Sequence, residues 1–396
     1  MAEAILTINA GSSSIKFALF NVGSGLNSTV EGEAEGIGTT PHLVIKENGV
    51  VALDKTWPAG GSSLGYEPLL NEILSWIEAN LGDAQLIAAG HRIVHGGPDF
   101  YEPLRLNEDR LKDLEALDSL APLHEPHNIA AIRAVFNIRP HLPQVGCFDT
   151  AFHHSMLDIA KLIGIPRKFH AQGVRRYGFH GLSYEYISTR LAEIAPKLSQ
   201  GRVIVAHLGN GASMCAIKAG NSLDSTMGFT ALDGLMMGTR TGSIDAGVVL
   251  YMIQSAGMDE KALTDLLYKQ SGLLGVSGIS SDVRTLLESP KPEAKEALEL
   301  FCFKAARQAA GLVNALQGLD GLVFTAGIGE HAAPVRAAIC AHLSWMGIKI
   351  SAAANNANED IISTPDSAIE VRVIPTNEEL MIARHTLKLV KSDTKT

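Results

Sequence analysis

Much of the chemistry in this 396-residue chain sits in short polar turns that interrupt apolar runs. Ile5 to Ile8 is apolar, Asn9-Ala10-Gly11-Ser12-Ser13-Ser14 follows, and Ile15 to Phe20 is apolar again, which is the pattern of strand, tight turn and strand. Val203 to Ala206, then His207-Leu208-Gly209-Asn210-Gly211-Ala212-Ser213, then Met214 to Ile217, repeat that layout at an offset of 198 positions, 203 minus 5 and 209 minus 11. A Gly/Ser turn can converge backbone N–H groups on a phosphate, and two facing copies could grip a polyphosphate from both sides. Either turn alone is equally an ordinary hairpin of a duplicated fold. Their common offset favours the clamp.

Other nucleotide motifs are missing or misplaced. No Gly-Lys pair occurs, so there is no P-loop. Gly327-x-Gly329-x-x-Ala332 formally fits the dinucleotide fingerprint, but it comes late and no ribose-binding acid follows a second strand. A strand, a glycine turn and a helix start can equally hold an adenosine or its α-phosphate. Asp149 ends the apolar run from Gln144, where a carboxylate is costly unless it serves a site or caps the next turn. His124 and His127 could suggest a metal, but Pro126 and the lack of further clustered ligands argue against one.

The elements that must position these groups alternate. Leu69, Leu70, Ile73, Leu74 and Ile77 predict a helix over Glu67 to Leu81, and strands are expected at Leu86 to Ala89 and up to Asp149. In the second half the sequence predicts a long helix from Pro292 to Leu316, closed by Gly318, and a buried strand over Gly321 to Thr325 that runs into Ala326-Gly327-Ile328-Gly329-Glu330. A last helix is expected from Thr376 to about Val390, with Thr376-x-x-Glu379 as a capping box. Such alternation implies α/β layers. The expected division is a lobe at 1–149 with the first phosphate hairpin and a carboxylate site, a nucleotide-binding lobe at 150–384, and a helix end at 385–396 that packs on the first lobe.

A formal charge of -9 argues against nucleic acid or an anionic membrane as partner. Cys147, Cys215, Cys302 and Cys340 form no close pair, so a reducing, cytoplasmic setting is expected rather than a disulfide framework or a thiolate metal site. The first residues lack the basic and long apolar regions of a signal peptide, and no apolar run approaches about 20 residues, so neither a leader nor a membrane span is expected.

Eight segments together resemble the motifs of acetate kinases, in family order from residue 5 to residue 380. They are Ile8 to Lys16, Gly90-His91-Arg92-Ile93-Val94-His95-Gly96-Gly97, Phe148-Asp149-Thr150-Ala151-Phe152-His153, Arg176-Tyr177-Gly178-Phe179-His180-Gly181, His207 to Gly211, Met237-Gly238-Thr239-Arg240-Thr241-Gly242, Phe324 to Glu330, and Pro375-Thr376-Asn377-Glu378-Glu379. The resemblance implies the two-lobed α/β fold of actin-like ATPases with a duplicated core domain, and a homodimer. It also implies reversible, direct in-line transfer of the ATP γ-phosphoryl group to acetate with Mg²⁺, or possible Mn²⁺.

Residue roles follow from the same resemblance. Arg92 and Arg240 would hold the carboxylate and the transferring phosphoryl group, a task that suits planar cationic forks. His180 would donate to the equatorial oxygens, and His124 matches another active-site position. Asp149 matches one too, but the carboxylate substrate, with a pKa of about 4 to 5, has no proton to lose at pH 7. Asp149 is therefore expected to position an arginine or a metal-bound water. Asn9 and Glu378 match the Mg²⁺ positions. Lys16, Ser12, His207, Leu208, Gly209, Asn210 and Gly211 match the phosphate positions, and Asp282, Val283, Arg284, Gly327, Ile328, Gly329, Glu330 and His331 those near adenosine. Val94, Leu123, Phe179 and Ala231 would wall the substrate methyl pocket.

Three positions depart from the family. Ala231 stands where the family usually has Pro, which enlarges the pocket and favours propionate. Tyr184 replaces a usual His, and His331 a usual Asn beside adenosine. The rivals are a propionate or broader short-chain acyl kinase, and an actin-like or chaperone-like module that phosphorylates nothing. The paired arginines with His180, and the lack of a separate peptide-binding domain, speak against the second.

Overall fold

The computed structural model describes residues 2–23, 25–57, 64–117 and 125–393. It divides into two compact units, Met1–Ala151 with Asn377–Thr396, and Phe152–Thr376.

In the first unit the strands are β1 (Ala2–Ala10), β2 (Ser14–Val22), β3 (Leu26–Glu35), β4 (His42–Glu47), β5 (Val50–Thr56), β6 (Ala84–Ile93), β7 (Leu104–Arg105) and β8 (Gln144–Phe148). They form one sheet in the order β5-β4-β3-β2-β1-β6-β8-β7. In the second unit β9 (Arg202–Leu208), β10 (Ala212–Lys218), β11 (Asn221–Ser225), β12 (Gly321–Thr325) and β13 (Glu370–Val373) are ordered β11-β10-β9-β12-β13. β1 is antiparallel to β2 and parallel to β6, which is parallel to β8. β9 stands in the same relation to β10, β12 and β13. With β3 and β11 each antiparallel at the next place, the two units share one five-strand core, the duplication expected of an actin-like ATPase.

The repeat is visible at single residues. Asn9 pairs with Lys16 and His207 with Ser213, and 9 plus 198 is 207. The second turn is tighter by one residue: Gly11 N–H donates to Ser14 O, whereas Gly209 N–H donates to Gly211 O.

β1 reads as an almost continuous apolar run because both of its faces are covered. Leu6, Ile8 and Ala10 share a core with the helices Tyr66–Asn80 and Glu125–Ile138. Ile5 points to the other face and joins Ala383 of the terminal helix Glu378–Asp393. That helix lies close over β6 at Gly90, where an added Cβ would fall 2.2 Å from Thr386 Oγ1 and 2.6 Å from Ile382 Cγ2. The whole helix belongs to the first unit, so the expected boundary at 385 falls inside one element.

The capping box at Thr376 does not form. The helix begins at Glu378, and Leu380 N–H donates to Asn377 Oδ1, so Asn377 is the cap. Thr376 is used otherwise: its N–H donates to Glu330 Oε1 and its hydroxyl is bonded to Ser183 Oγ. In the second unit the helix Gly181–Ile194 packs Tyr184, Ile187 and Leu191 on Val203, Val205, Cys215 and Val323.

Candidate functional site

Strand alternation places the candidate groups of the first unit. Side chains two apart on a strand share a face, so Asn9 lies on the side of Ile5, toward the terminal helix. On β6, Gly90 touches that helix, which puts Arg92 on the same side. On β8, Phe148 packs with Ile93 in the opposite core, so Asp149 falls on the side of Arg92. Asn9, Arg92 and Asp149 thus stand at the carboxyl ends of three parallel strands, where open α/β sheets bind ligands. Glu378 starts the helix on that face.

Arg92 Nε and Nη2 both donate to Asp149 Oδ2, at 2.9 and 2.5 Å. Asp149 is fully buried, and its Oδ1 has no hydrogen-bond partner among the described residues. Burial works against the Arg92 guanidinium, but Asp149, Glu378 and Glu125 together raise its pKa above the ordinary value. The Glu378 carboxyl is pushed up to about 8, by loss of solvent first and then by the negative charge of Asp149, which outweighs Arg92. A buried carboxylate oxygen without a donor beside a second carboxylate is short of positive charge, and a divalent cation would supply it. No group of three or more His, Cys, Asp or Glu able to hold a metal occurs among the described residues. The donors that remain are hard oxygens of Asn9, Asp149 and Glu378, which fits an ion such as Mg²⁺ that keeps waters and phosphate oxygens in its shell.

Asn128, which the sequence reading missed, joins these strand ends. Its Oδ1 accepts from Val94 N–H at 3.0 Å, and its Nδ2 donates to Ala10 O at 2.6 Å. Val94 is buried. Ser12 and Lys16 are exposed, and Lys16 lies 3.6 Å from Glu33. His124 and Leu123 lie outside the described residues.

In the second unit His207, next to last in β9, lies on the face that carries Ser213 and the helix Gly181–Ile194. Its ring stacks on His180, centroids 4.1 Å apart at 17°. Each imidazole is held through Nδ1 by a serine: His180 by Ser213 and His207 by Ser183, both at 2.8 Å. His180 is a non-glycine residue with φ 58, a strained conformation worth about 1 to 3 kcal/mol that persists only where neighbours impose it. One neighbour is His153, which lies within one of the sequence motifs but was given no role there. Its buried ring donates from Nε2 to Phe179 O at 2.9 Å, and it fills the space a side chain at Gly178, φ 77, would need. Burial lowers the His153 pKa to about 4. Phe179 is buried, and Arg240 Nη1 donates to Ala231 O at 3.0 Å.

A cavity of about 630 Å³ opens in the same unit. Gly209, Asn210, Asp282, Val283, Arg284, Gly327, Ile328 and His331 line it, so eight of the expected nucleotide residues surround one space. Ser281, Leu287, Ala332 and Pro334 line it too and were not foreseen. Gly329 and Glu330 are not among its walls. Glu330 instead accepts from Thr376 N–H, and the buried Arg336 donates to the carbonyls of Gly329 and Glu330, so this pair fixes the loop. Asp282 also caps the helix Val283–Glu288. Leu208 is fully buried, and a Cβ at Gly211 would lie 3.5 Å from His180 Nε2 and 3.9 Å from Arg240 Nη1.

Comparison with known proteins covers nearly the whole chain. Residues 4–384 match the model of the acetokinase family. The acetate kinase of Rhodopseudomonas palustris is 48% identical, over 98% of this chain and 99% of that protein, and that of Rhizobium meliloti is 45% identical over 98% and 99%. Among solved structures, a propionate kinase from Francisella tularensis superposes with a TM-score of 0.90 at 39% identity, over 98% of this chain and 99% of that one. An acetate kinase from Porphyromonas gingivalis gives 0.87 at 33%, over 98% and 100%.

Proposed function

The chain belongs to the acetokinase family and has the activity of an acetate kinase, phosphoryl transfer between ATP and acetate, and from that premise we propose how its residues carry the reaction. The cavity walled by eight expected nucleotide residues carries the reading: it takes the adenosine, and the Gly209 to Gly211 turn takes the phosphates. Arg92 binds the acetate carboxylate while Asp149 fixes its guanidinium. Acetate is already ionised at pH 7 and is itself the nucleophile, so no base is required and transfer is in line. Arg240 and His180 donate to the phosphoryl oxygens as charge spreads over them. Asn9 and Glu378 would hold Mg²⁺, with Asp149 Oδ1 facing the same charge deficit, and the ion would supply positive charge to neutralise the phosphates.

Ala231 supports broader acyl use. One methylene is worth about 1 to 3 kcal/mol in an apolar pocket, so Ala231→Pro should lower the propionate-to-acetate ratio of kcat/KM by about tenfold. Acyl phosphate trapped as hydroxamate with acetate, propionate and butyrate measures this. An unchanged ratio removes the pocket argument, and ATP turnover indifferent to any carboxylate would remove the site assignment itself.

A homodimer is proposed from the helix Ala246–Gln254. It carries no charged residue and has no buried one, with Leu250 53% and Tyr251 63% exposed. A helix apolar all round belongs in an interface. Leu250→Glu with Tyr251→Glu should convert a dimer to a monomer in sedimentation velocity; a monomeric wild type, or a dimeric variant, would refute it. Four free buried cysteines and the absence, among the described residues, of a helix able to cross a membrane support a cytoplasmic setting.

A further inference from the structure

We propose that Tyr184 is a positioning residue that holds His180 as the Nε2–H tautomer, acting through the Ser213 hydroxyl. This rests on the role given above to His180. Tyr184 lies one turn into the helix that begins after His180, and its N–H donates to His180 O. Its side chain is fully buried on the sheet. Its hydroxyl is 2.5 Å from Ser213 Oγ, and Ser213 Oγ is 2.8 Å from His180 Nδ1.

Proton counting gives the direction of this chain. Ser213 is fully buried, and Tyr184 and His180 are the partners of its hydroxyl among the described residues. A phenol, with a pKa of about 10, is a much better donor than an alcohol, so Tyr184 O–H donates to Ser213 Oγ. The Ser213 hydrogen then has His180 Nδ1 as its acceptor; left unbonded in that core it would carry the desolvation penalty of an unsatisfied donor. Nδ1 accepts, so the single proton of the neutral imidazole sits on Nε2. Nε2 is the nitrogen nearest the Gly211 turn, where Arg240 Nη1 also arrives. The tautomer therefore presents a donor, not a lone pair, to an anionic oxygen bound at that turn. His207 shows the contrast: its serine, Ser183, leads to the hydroxyl of Thr376, which is no stronger a donor than serine and sets no direction.

Tyr184→Phe keeps the buried ring and removes only the hydroxyl. Long-range proton–nitrogen spectra of histidine-labelled protein, with His180 assigned by its loss in His180→Gln, should show a single Nε2–H tautomer in the wild type and a mixture in Tyr184→Phe. The variant's kcat should fall about tenfold with both KM values nearly unchanged, as expected when a donor is lost only in the transition state. Ser213→Ala should act alike, and the double variant should be no worse than the poorer single one, since both interrupt one chain. An Nδ1–H tautomer in the wild type, an unaltered spectrum in Tyr184→Phe, or additive losses in the double variant would each overturn the proposal. Normal turnover by His180→Gln would overturn the catalytic role beneath it, and is read separately from the tautomer.

Discussion

Arg240→Ala is expected to lower kcat for acetyl phosphate formation by about 10³-fold or more, with the KM for ATP changed only a few-fold. An arginine that meets a transferring phosphoryl group contributes about 10³ to 10⁵ in rate, because its planar fork matches the equatorial oxygens as charge spreads onto them. The structure holds this guanidinium in place. Nη1 donates to Ala231 O and lies beside the Gly211 turn, and the backbone of its loop is tied by Met237 N–H to Arg240 O and by Thr239 Oγ1 to Tyr268 O. Those ties do not use the side chain, so the variant should fold with its nucleotide cavity intact. Arg240→Lys keeps the charge and loses the fork, and should recover only a small part of the rate. Hydroxamate trapping under saturating Mg·ATP gives the number. A kcat within tenfold of wild type would take Arg240 off the reaction line.

Much of this site is written in local sequence, and the rest depends on which faces meet. The hairpin repeat is legible because strand, turn and strand leave a local signature, and Asn9 and His207 are equivalent positions in it. The helix Pro292–Leu316 and strand β12 carry their own periodicity and flanking breakers, and their expected bounds agree with those observed. The cap at Asn377 was missed because Thr376 and Asn377 are both good capping residues; the choice is made by Glu330 and Ser183, distant in sequence, which engage Thr376. Ser213 looks like a small turn residue in Gly-Ala-Ser. Only the pairing of β9 with β10, and the helix that places His180 and Tyr184 over them, shows that its hydroxyl bridges two side chains. His153 likewise follows an apolar phenylalanine and reads as a core residue until its bond to Phe179 O is seen.

Acidification from pH 7.5 to 5 should destabilise the second unit, through the buried His153. Its pKa is lowered to about 4 from an ordinary 6.5, burial being the main cause; in the first unit a like fall at His91 is opposed by Glu378, whose raised carboxyl gains its proton first in the folded chain. The sign follows from proton binding. Between pH 6.5 and 4 the unfolded chain takes up a proton at His153 and the folded chain does not, so the stabilisation is complete above 6.5 and is lost as pH falls toward 4. A shift of about 2.5 units corresponds to about 3 kcal/mol per histidine over the full range, and about 2 kcal/mol of it is gone by pH 5. Urea midpoints at pH 7.5, 6 and 5, read by a probe in the second unit, should fall steadily. His153→Asn should be less stable than wild type at pH 7.5, because it loses the bond to Phe179 O and leaves space beside Gly178, yet its second-unit midpoint should change less with pH. A wild-type midpoint that stays flat to pH 5, or a variant with the full wild-type slope, would show that His153 is not the titrating group. Because His153 also holds the carbonyl that precedes His180, the stability lost in acid is drawn from the loop that presents His180 to the phosphate turn.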